Sequence, residues 1–265
     1  MSIDKKIQSI LAAFKERGRV LIAFSGGVDS SVLAALAFRS IGTNAIAVTA
    51  DSQTFAPGEL EYAKAVAKEI GISHIIITYD ELKEPGFAEN PRDRCYHCKK
   101  GLIRELKKIA AEHDIDTIIE GTNISDLKGY RPGHRAVIEE GIHNPFVEFN
   151  VTKEEIRGIA RKLGLSVEQK PSMACLSSRF PYGQAITAYG LKRVGEAETY
   201  LHGLGFNALR VRDHAGIARI EIMPGEMVRF LEMREAVSNE FKRLGFSYVT
   251  LDLMGLRSGS MDEVI

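Results

Sequence analysis

Val20-Leu-Ile-Ala-Phe-Ser-Gly-Gly-Val-Asp-Ser-Ser31 is the stretch whose reading decides the fold. The unbroken apolar run from Val20 to Phe24 predicts a buried strand, Ser25 to Ser30 a tight loop, and Ser30 to Phe38 an apolar helix opening straight out of it. Gly26 and Gly27 let the main chain bend where other residues do not and approach a ligand closely. The first N–H groups of the new helix have no partners within it, so strand, loop and helix together make an anion site. A Gly-Gly pair alone is equally a turn that binds nothing. Here the hydroxyls of Ser25 and Ser30 and the carboxylate of Asp29 flank it. Asp29 repels an anion unless a cation stands between them, as in magnesium–nucleotide sites.

Working outward, Asn44 to Ser52 reads as a second strand ending in polar residues, so strand, helix and strand form a right-handed βαβ unit. Ligands gather beyond the carboxyl ends of such strands, which puts Thr49, Asp51 and Ser52 beside the first loop unless they form a plain turn. A lead-in helix over residues 5–17, a helix from Glu59 to Ile70 and a strand from His74 to Thr78 continue the α/β alternation. Residues 79–94 are polar and broken by Pro85, Gly86 and Pro91, and end in Cys95-Tyr-His-Cys98-Lys99, just before a helix from Leu102 to His113. Ile115 to Glu120 reads as the next strand, and Gly121-Thr-Asn-Ile-Ser-Asp126 brings Thr122, Asn123 and Asp126 to the same edge. Asp126 either shares a metal with Asp29 or serves as a cap. Arg131 to His134 reads as a loop with an anion-binding arginine, and Thr152-Lys-Glu-Glu155 as the capping box of a helix that Gly164 ends.

The second half differs in character. Lys170 to Gly183 is bounded by Pro and Gly, and Cys175, Ser177, Ser178 and Arg179 mark it as more than a connection. A helix over 191–204, strands over 208–213 and 218–223, a long helix over 225–244 and a strand over 248–253 predict an α-β-β-α-β domain with a mobile tail from Arg257. The expected fold is a parallel α/β sheet with helices on both faces over residues 1–170, plus a small α+β domain over 171–265. Lys+Arg and Asp+Glu are equal at 35 each in 265 residues, a balance that weighs against nucleic acid as partner. No apolar run reaches membrane-spanning length and Met1-Ser-Ile-Asp-Lys-Lys lacks the core of a signal peptide, so the cytoplasm is the expected location. Three cysteines suit reduced thiols with a chemical role better than a disulfide framework. Cys95 and Cys98 fit half a zinc site, a redox dithiol, or two of three ligands, with Cys175, to an iron–sulfur cluster.

Ser25 to Ser30 resembles the pyrophosphate (PP) loop of the ATP-pyrophosphatase superfamily, the adenine nucleotide α-hydrolase-like fold. That loop with Cys95-x-x-Cys98-Lys99, Ala174-Cys-Leu-Ser-Ser-Arg179, Leu209-Arg-Val-Arg212 and Arg219-Ile-Glu221 closely resembles the LarE family over nearly the whole chain. The resemblance implies an ATP-dependent sulfur transferase. It would adenylylate the carboxylates of a pyridinium-biscarboxylic acid mononucleotide and convert them to thiocarboxylates for the nickel-pincer nucleotide of lactate racemase. It further implies ATP at Ser25, Gly26, Gly27, Val28, Asp29, Ser30, Asp51, Ser52, Gly121, Thr122 and Asn123, and magnesium at Asp29 and Asp126. Cys175, Lys99, Arg179 and Glu198 are the implied catalytic residues, with Glu221 near them, and Arg179, Arg210 and Arg212 the clamp for the substrate's phosphate. Members with one cysteine sacrifice its sulfur; the three here match a subgroup using a [4Fe-4S] cluster on Cys95, Cys98 and Cys175. A homo-oligomer is implied too. A tRNA thiolase and an NAD-synthetase-like ammonia ligase share the loop, but the first calls for a basic face and the second has no need of three cysteines.

Overall fold

The computed structural model describes residues 1–265 apart from 129, 130, 172, 258, 262, 264 and 265. By its contacts the chain forms two compact units. One comprises Met1–Ser52, Gly58–Glu84 and Asp93–Met173; the other comprises Gln53–Pro57, Pro85–Arg92 and Ala174–Ile265. Two short excursions from the first half of the chain thus belong to the second unit.

The first unit runs α1 (Ile3–Arg17), β1 (Val20–Ala23), α2 (Val28–Ile41), β2 (Ala45–Asp51), α3 (Glu59–Ile70), β3 (Ser73–Thr78), α4 (Arg94–Glu112), β4 (Ile118–Ile119), α5 (Pro132–Glu139), α6 (Pro145–Glu148) and α7 (Lys153–Leu163). All pairings in its sheet are parallel, in the order β3-β2-β1-β4. The continuous apolar character of β1 and β2 follows from burial on both faces. Val20, Ile22, Ala45 and Ala47 enter a core with Phe14, Leu33 and Ile156, while Leu21, Ile46 and Val48 enter another with Ile103 and Leu106. Each buried valine, leucine or isoleucine among them contributes about 2 kcal/mol by leaving water. The chain winds from β1 outward to β3, then returns to the other side of β1 with β4. The switch point lies between β1 and β4, the place where open α/β sheets bind ligands.

The second unit runs α8 (Ala188–Gly203), β5 (Leu209–His214), β6 (Ile217–Ile222), α9 (Met227–Glu232), α10 (Arg234–Arg243) and β7 (Tyr248–Leu251). β5 and β6 are antiparallel, and β7 adds parallel to β6.

Four sequence expectations need correction. The strand expected over 115–120 pairs only at Ile118 and Ile119, because Ile115 N–H still closes the end of α4 on Ala110 and Glu120 N–H turns to His143. Arg131 to His134 is not a loop: Pro132, with its preset φ, starts α5 at its first position. The single helix over 225–244 is two, broken at Met233 (φ −96°, ψ 8°). Arg229 of α9 donates to Leu204 and lies over the Phe206 ring, which ties that short helix to the end of α8. Lastly, the tail contains an anchored residue, since Ser260 is buried and donates to Glu221 at 2.6 Å.

Candidate functional site

At the end of β1 the chain turns through Gly26, whose φ is +69°. A Cβ there would lie 2.7 Å from the Ala63 Cα of α3, so glycine is required both for the turn and for the close packing. Gly27 caps α2, and Val28, Asp29 and Ser30 form its first turn. Ser30 Oγ accepts from the Ser25 amide (3.2 Å) and hydroxyl (3.1 Å) and donates to the Gly27 carbonyl (3.1 Å), which closes the loop on itself. Gly121, just after β4, packs against this turn: its Cβ position lies 3.0 Å from the Ser30 nitrogen. The two loops flanking the switch point are therefore in contact, and the amides of the α2 first turn lie beside them, the geometry of a phosphate cradle.

Charged groups gather at this edge. Asp29 pairs with Lys153, the first residue of α7. Its other oxygen accepts from Asn123 Nδ2 (3.2 Å), which also donates to Asp126 (2.6 Å), and Arg131 closes the row on Asp126 at 2.6 Å. Burial pushes the Asp29 carboxyl up against the pull of Lys153, and the charge of Asp126 adds to the rise. Lys99 donates to Glu120 at 2.9 Å, and Thr122 donates to the other oxygen of Glu120. Glu120's negative charge raises the Lys99 pKa despite burial. In turn, burial favours neutral Glu120, but Lys99 and Thr122 outweigh it and hold the carboxyl below its ordinary range. Asp51 ends β2, and its carbonyl accepts from the Tyr79 amide; Ser52 follows directly. Thr49 is spent internally, donating to Phe24 O at 2.7 Å.

In the second unit the expected arginine clamp is a buried lattice. Arg179 forks onto Glu198 (2.7 and 3.0 Å), and Glu198 also accepts from the Val211 amide (2.9 Å). Arg212 forks onto Glu221 (3.1 and 2.9 Å), reaches Ser178 O (2.8 Å) and meets Ser260 Oγ (3.0 Å). All four charged side chains are at most 4% exposed. Arg210 differs. It is half-buried, with its Nε lacking a hydrogen-bond partner among the described residues. Burial and then the like charges of Arg179 and Arg212 pull its pKa down, so an entering anion relieves it.

The asparagine synthase family model matches residues 8–95. The pyridinium-3,5-bisthiocarboxylic acid mononucleotide synthase of Lactiplantibacillus plantarum is 37% identical over 100% of this chain and 96% of its own length. The chain belongs to this family, LarE. An uncharacterized Synechocystis protein is 43% identical over 99% of both chains, and one subunit of the glutamine-hydrolyzing GMP synthase of Archaeoglobus fulgidus is 27% identical over 69% of this chain and 61% of its own. The chain is thus an ATP-using enzyme of the pyrophosphate-loop superfamily, with the expected parallel α/β sheet and small second sheet.

Cys95 and Cys98 lie at the start of α4, exposed and half-buried, and none of the three cysteines is in a disulfide. Cys175, exposed in the second unit, precedes the turn that carries Arg179, its Sγ 2.9 Å from Ser177 Oγ. Among the described residues no three His, Cys, Asp or Glu side chains gather as a metal-holding group. Three residues escaped the sequence reading in these roles. Glu120 was only the end of a strand, although a carboxylate just before a glycine turn at a sheet edge is a signal. Lys153 was hidden inside a capping box, although a cation at the first position of a helix opposes the macrodipole and calls for a partner. Asn90 sat in the polar stretch; it is fully buried and its Nδ2 donates to Pro181 O (2.7 Å) and Gln184 O (3.0 Å).

Proposed function

We propose that this enzyme activates the carboxylates of a pyridinium-biscarboxylic acid mononucleotide with ATP and converts them to thiocarboxylates for the nickel-pincer cofactor of lactate racemase. The full-length likeness to the mononucleotide synthase supports the substrate class. The observation that carries the chemistry is the closed Ser25–Ser30 loop, with the first turn of α2 beside Gly121.

In the first half-reaction a substrate carboxylate oxygen attacks the α-phosphorus of ATP. The bond to the bridging oxygen of the β-phosphate breaks, and pyrophosphate leaves with the electron pair. The amides after Gly27 hold the departing phosphates, and Asp51, Ser52, Thr122 and Asn123 border the adenosine. Lys99, held by Glu120, sets a fixed positive charge for the α-phosphate. Asp29 and Asp126, bridged by Asn123, offer hard oxygen ligands that suit magnesium, which when bound neutralises the leaving pyrophosphate. In the second half-reaction a sulfide equivalent attacks the acyl carbon and AMP leaves. Arg210, with Arg179 and Arg212 held at its flanks by Glu198 and Glu221, takes the substrate's phosphate.

Three thiols outside disulfides are the soft donor set that an iron–sulfur cluster takes, and we propose Cys95, Cys98 and Cys175 as its ligands. When bound, the cluster supplies the sulfide equivalent, so that Cys175 is not consumed. Such thiols suit a reducing compartment, and we place the protein in the cytoplasm, as a homo-oligomer that light scattering would register.

The test is anaerobic purification followed by assay of pyrophosphate, AMP and thiocarboxylate product, with iron and acid-labile sulfide measured in wild type and Cys175→Ala. The proposal expects all three products, and iron that falls in the variant. Pyrophosphate release with ammonia in place of sulfide would make the protein an amidating ligase. Sulfur transfer by iron-free protein would make Cys175 a sacrificial donor.

A further inference from the structure

Each of the two carboxylates at the switch point carries a cation from the chain itself: Lys153 on Asp29 and Arg131 on Asp126, with Asn123 between them. Two negative and two positive side chains leave the site balanced without any ligand. Lys153 is held there firmly at its backbone, where its amide donates to Ser125 Oγ at 3.1 Å beside the Thr152–Glu155 capping box. Its side chain is another matter. Lys153 and Asp29 are 29% and 25% exposed, whereas Arg179 and Glu198 are 2% and 4% exposed. Parting Lys153 from Asp29 therefore leaves both groups in partial contact with water, while parting a deeply buried pair strands two charges. A lysine at this position also suits release, since its ammonium is a compact charge on a flexible stem, without the fixed fork of arginine.

Asp29 lies in the first turn of α2, so phosphates cradled by that turn lie within the sweep of the Lys153 side chain. We propose that Lys153 is an exchangeable counter-ion: it occupies the cation position on Asp29 in the empty enzyme, yields Asp29 to the divalent cation when nucleotide enters, and turns its ammonium to the leaving phosphates. The exchange rests on the nucleotide-site reading above. It turns a neutral site into one with two additional positive charges only when metal and phosphate arrive together. Arg131, 61% exposed, is free to follow the same course from Asp126.

Calorimetric titration of the full chain separates the possibilities, using magnesium alone, pyrophosphate with EDTA, and magnesium pyrophosphate. In Lys153→Met, magnesium alone binds about fivefold more tightly than in wild type, the equivalent of losing a competing partly exposed ion pair. The same variant binds magnesium pyrophosphate about tenfold more weakly, as expected for one lost charge-assisted hydrogen bond. In Asp29→Asn, with the ammonium released, pyrophosphate in EDTA binds about fivefold more tightly than in wild type. Opposite signs are the signature. If Lys153→Met loses both affinities together, or leaves that for magnesium unchanged, while wild type binds magnesium pyrophosphate, Lys153 is a fixed structural partner and the exchange alone is wrong. If wild type binds no magnesium pyrophosphate, the nucleotide site and the exchange fall together. Melting temperatures of the variants show that each is folded, and the gain of affinity in Asp29→Asn holds the proposal open to refutation should Lys153→Met not fold.

Discussion

The edge of the parallel sheet and the arginine lattice of the second unit both gather hydrogen-bond donors and paired charges, but they are built in opposite ways. At the sheet edge the donors are mostly backbone amides, and the charged side chains that surround them, Asp29, Lys153, Asp126 and Arg131, are all at least a quarter exposed. In the lattice, Arg179, Arg212, Glu198 and Glu221 are sealed from water and satisfied by one another. The difference teaches which charges exchange and which position. A pair in contact with water parts at little cost and suits a ligand that comes and goes in every turnover. A sealed pair is costly to break and serves to hold its neighbour, here the half-buried Arg210.

The sharpest way to break this contrast is to remove one partner from each region. Glu221→Ala strips Arg212, Arg219 and Ser260 of their shared acceptor and leaves buried guanidinium uncompensated. It is expected to destabilise the protein by about 3–5 kcal/mol, read as a fall in thermal midpoint. Lys153→Met is expected to change stability by no more than about 1 kcal/mol. Equal effects of the two would erase the distinction between fixed and exchangeable charge.

A smaller effect is expected where the loop meets α3. Gly26→Ala places a Cβ 2.7 Å from Ala63 in a backbone region that disfavours side chains, at a cost of about 1–3 kcal/mol. Nucleotide affinity should fall more than tenfold, since one lost amide hydrogen bond to a charged group is already worth about that much. Retained affinity in equilibrium dialysis would mean that the phosphates are not cradled there.

Smallest is the pH dependence of the Lys99–Glu120 pair, in which a partly exposed ammonium meets a nearly sealed carboxylate. Glu120's pKa is held down in the folded protein, so its contribution is present above the ordinary carboxyl value and is lost as pH falls through the lowered one. Lys99's is raised, so its contribution is present below the ordinary lysine value and disappears as pH climbs through the raised one. Thermal midpoints of wild type and Lys99→Met/Glu120→Gln, compared from about pH 3 to about pH 11, bracket both ordinary values. The wild-type advantage should form a plateau that falls at both ends, and a flat difference would show that the pair carries no net charge coupling.

Much of the first unit was legible in the chain because its signals are local. An apolar run, a glycine loop and an apolar helix follow one another within residues 20–38, and strand–helix–strand handedness does the rest. The same holds for the Thr152–Glu155 capping box, formed as read. β4 was overestimated because its apolar residues are shared between the end of α4 and the sheet, and hydrophobic pattern alone does not apportion them. Glu198 and Glu221 read equally well as surface residues. They pair with Arg179 and Arg212 across 19 and 9 positions of the chain, and no periodicity encodes a partner at such separation.

The sequence by itself determined the βαβ core, the anion loop at the end of its first strand and the residues that mark the family, because each depends on neighbours a few positions away. Only the tertiary structure decided that Lys153 occupies Asp29 across 124 positions, that Glu120 anchors Lys99, and that Arg210 Nε has no hydrogen-bond partner among the described residues. The physical reason is that an ion pair is set by distance and desolvation in three dimensions, and the chain records neither until it has folded.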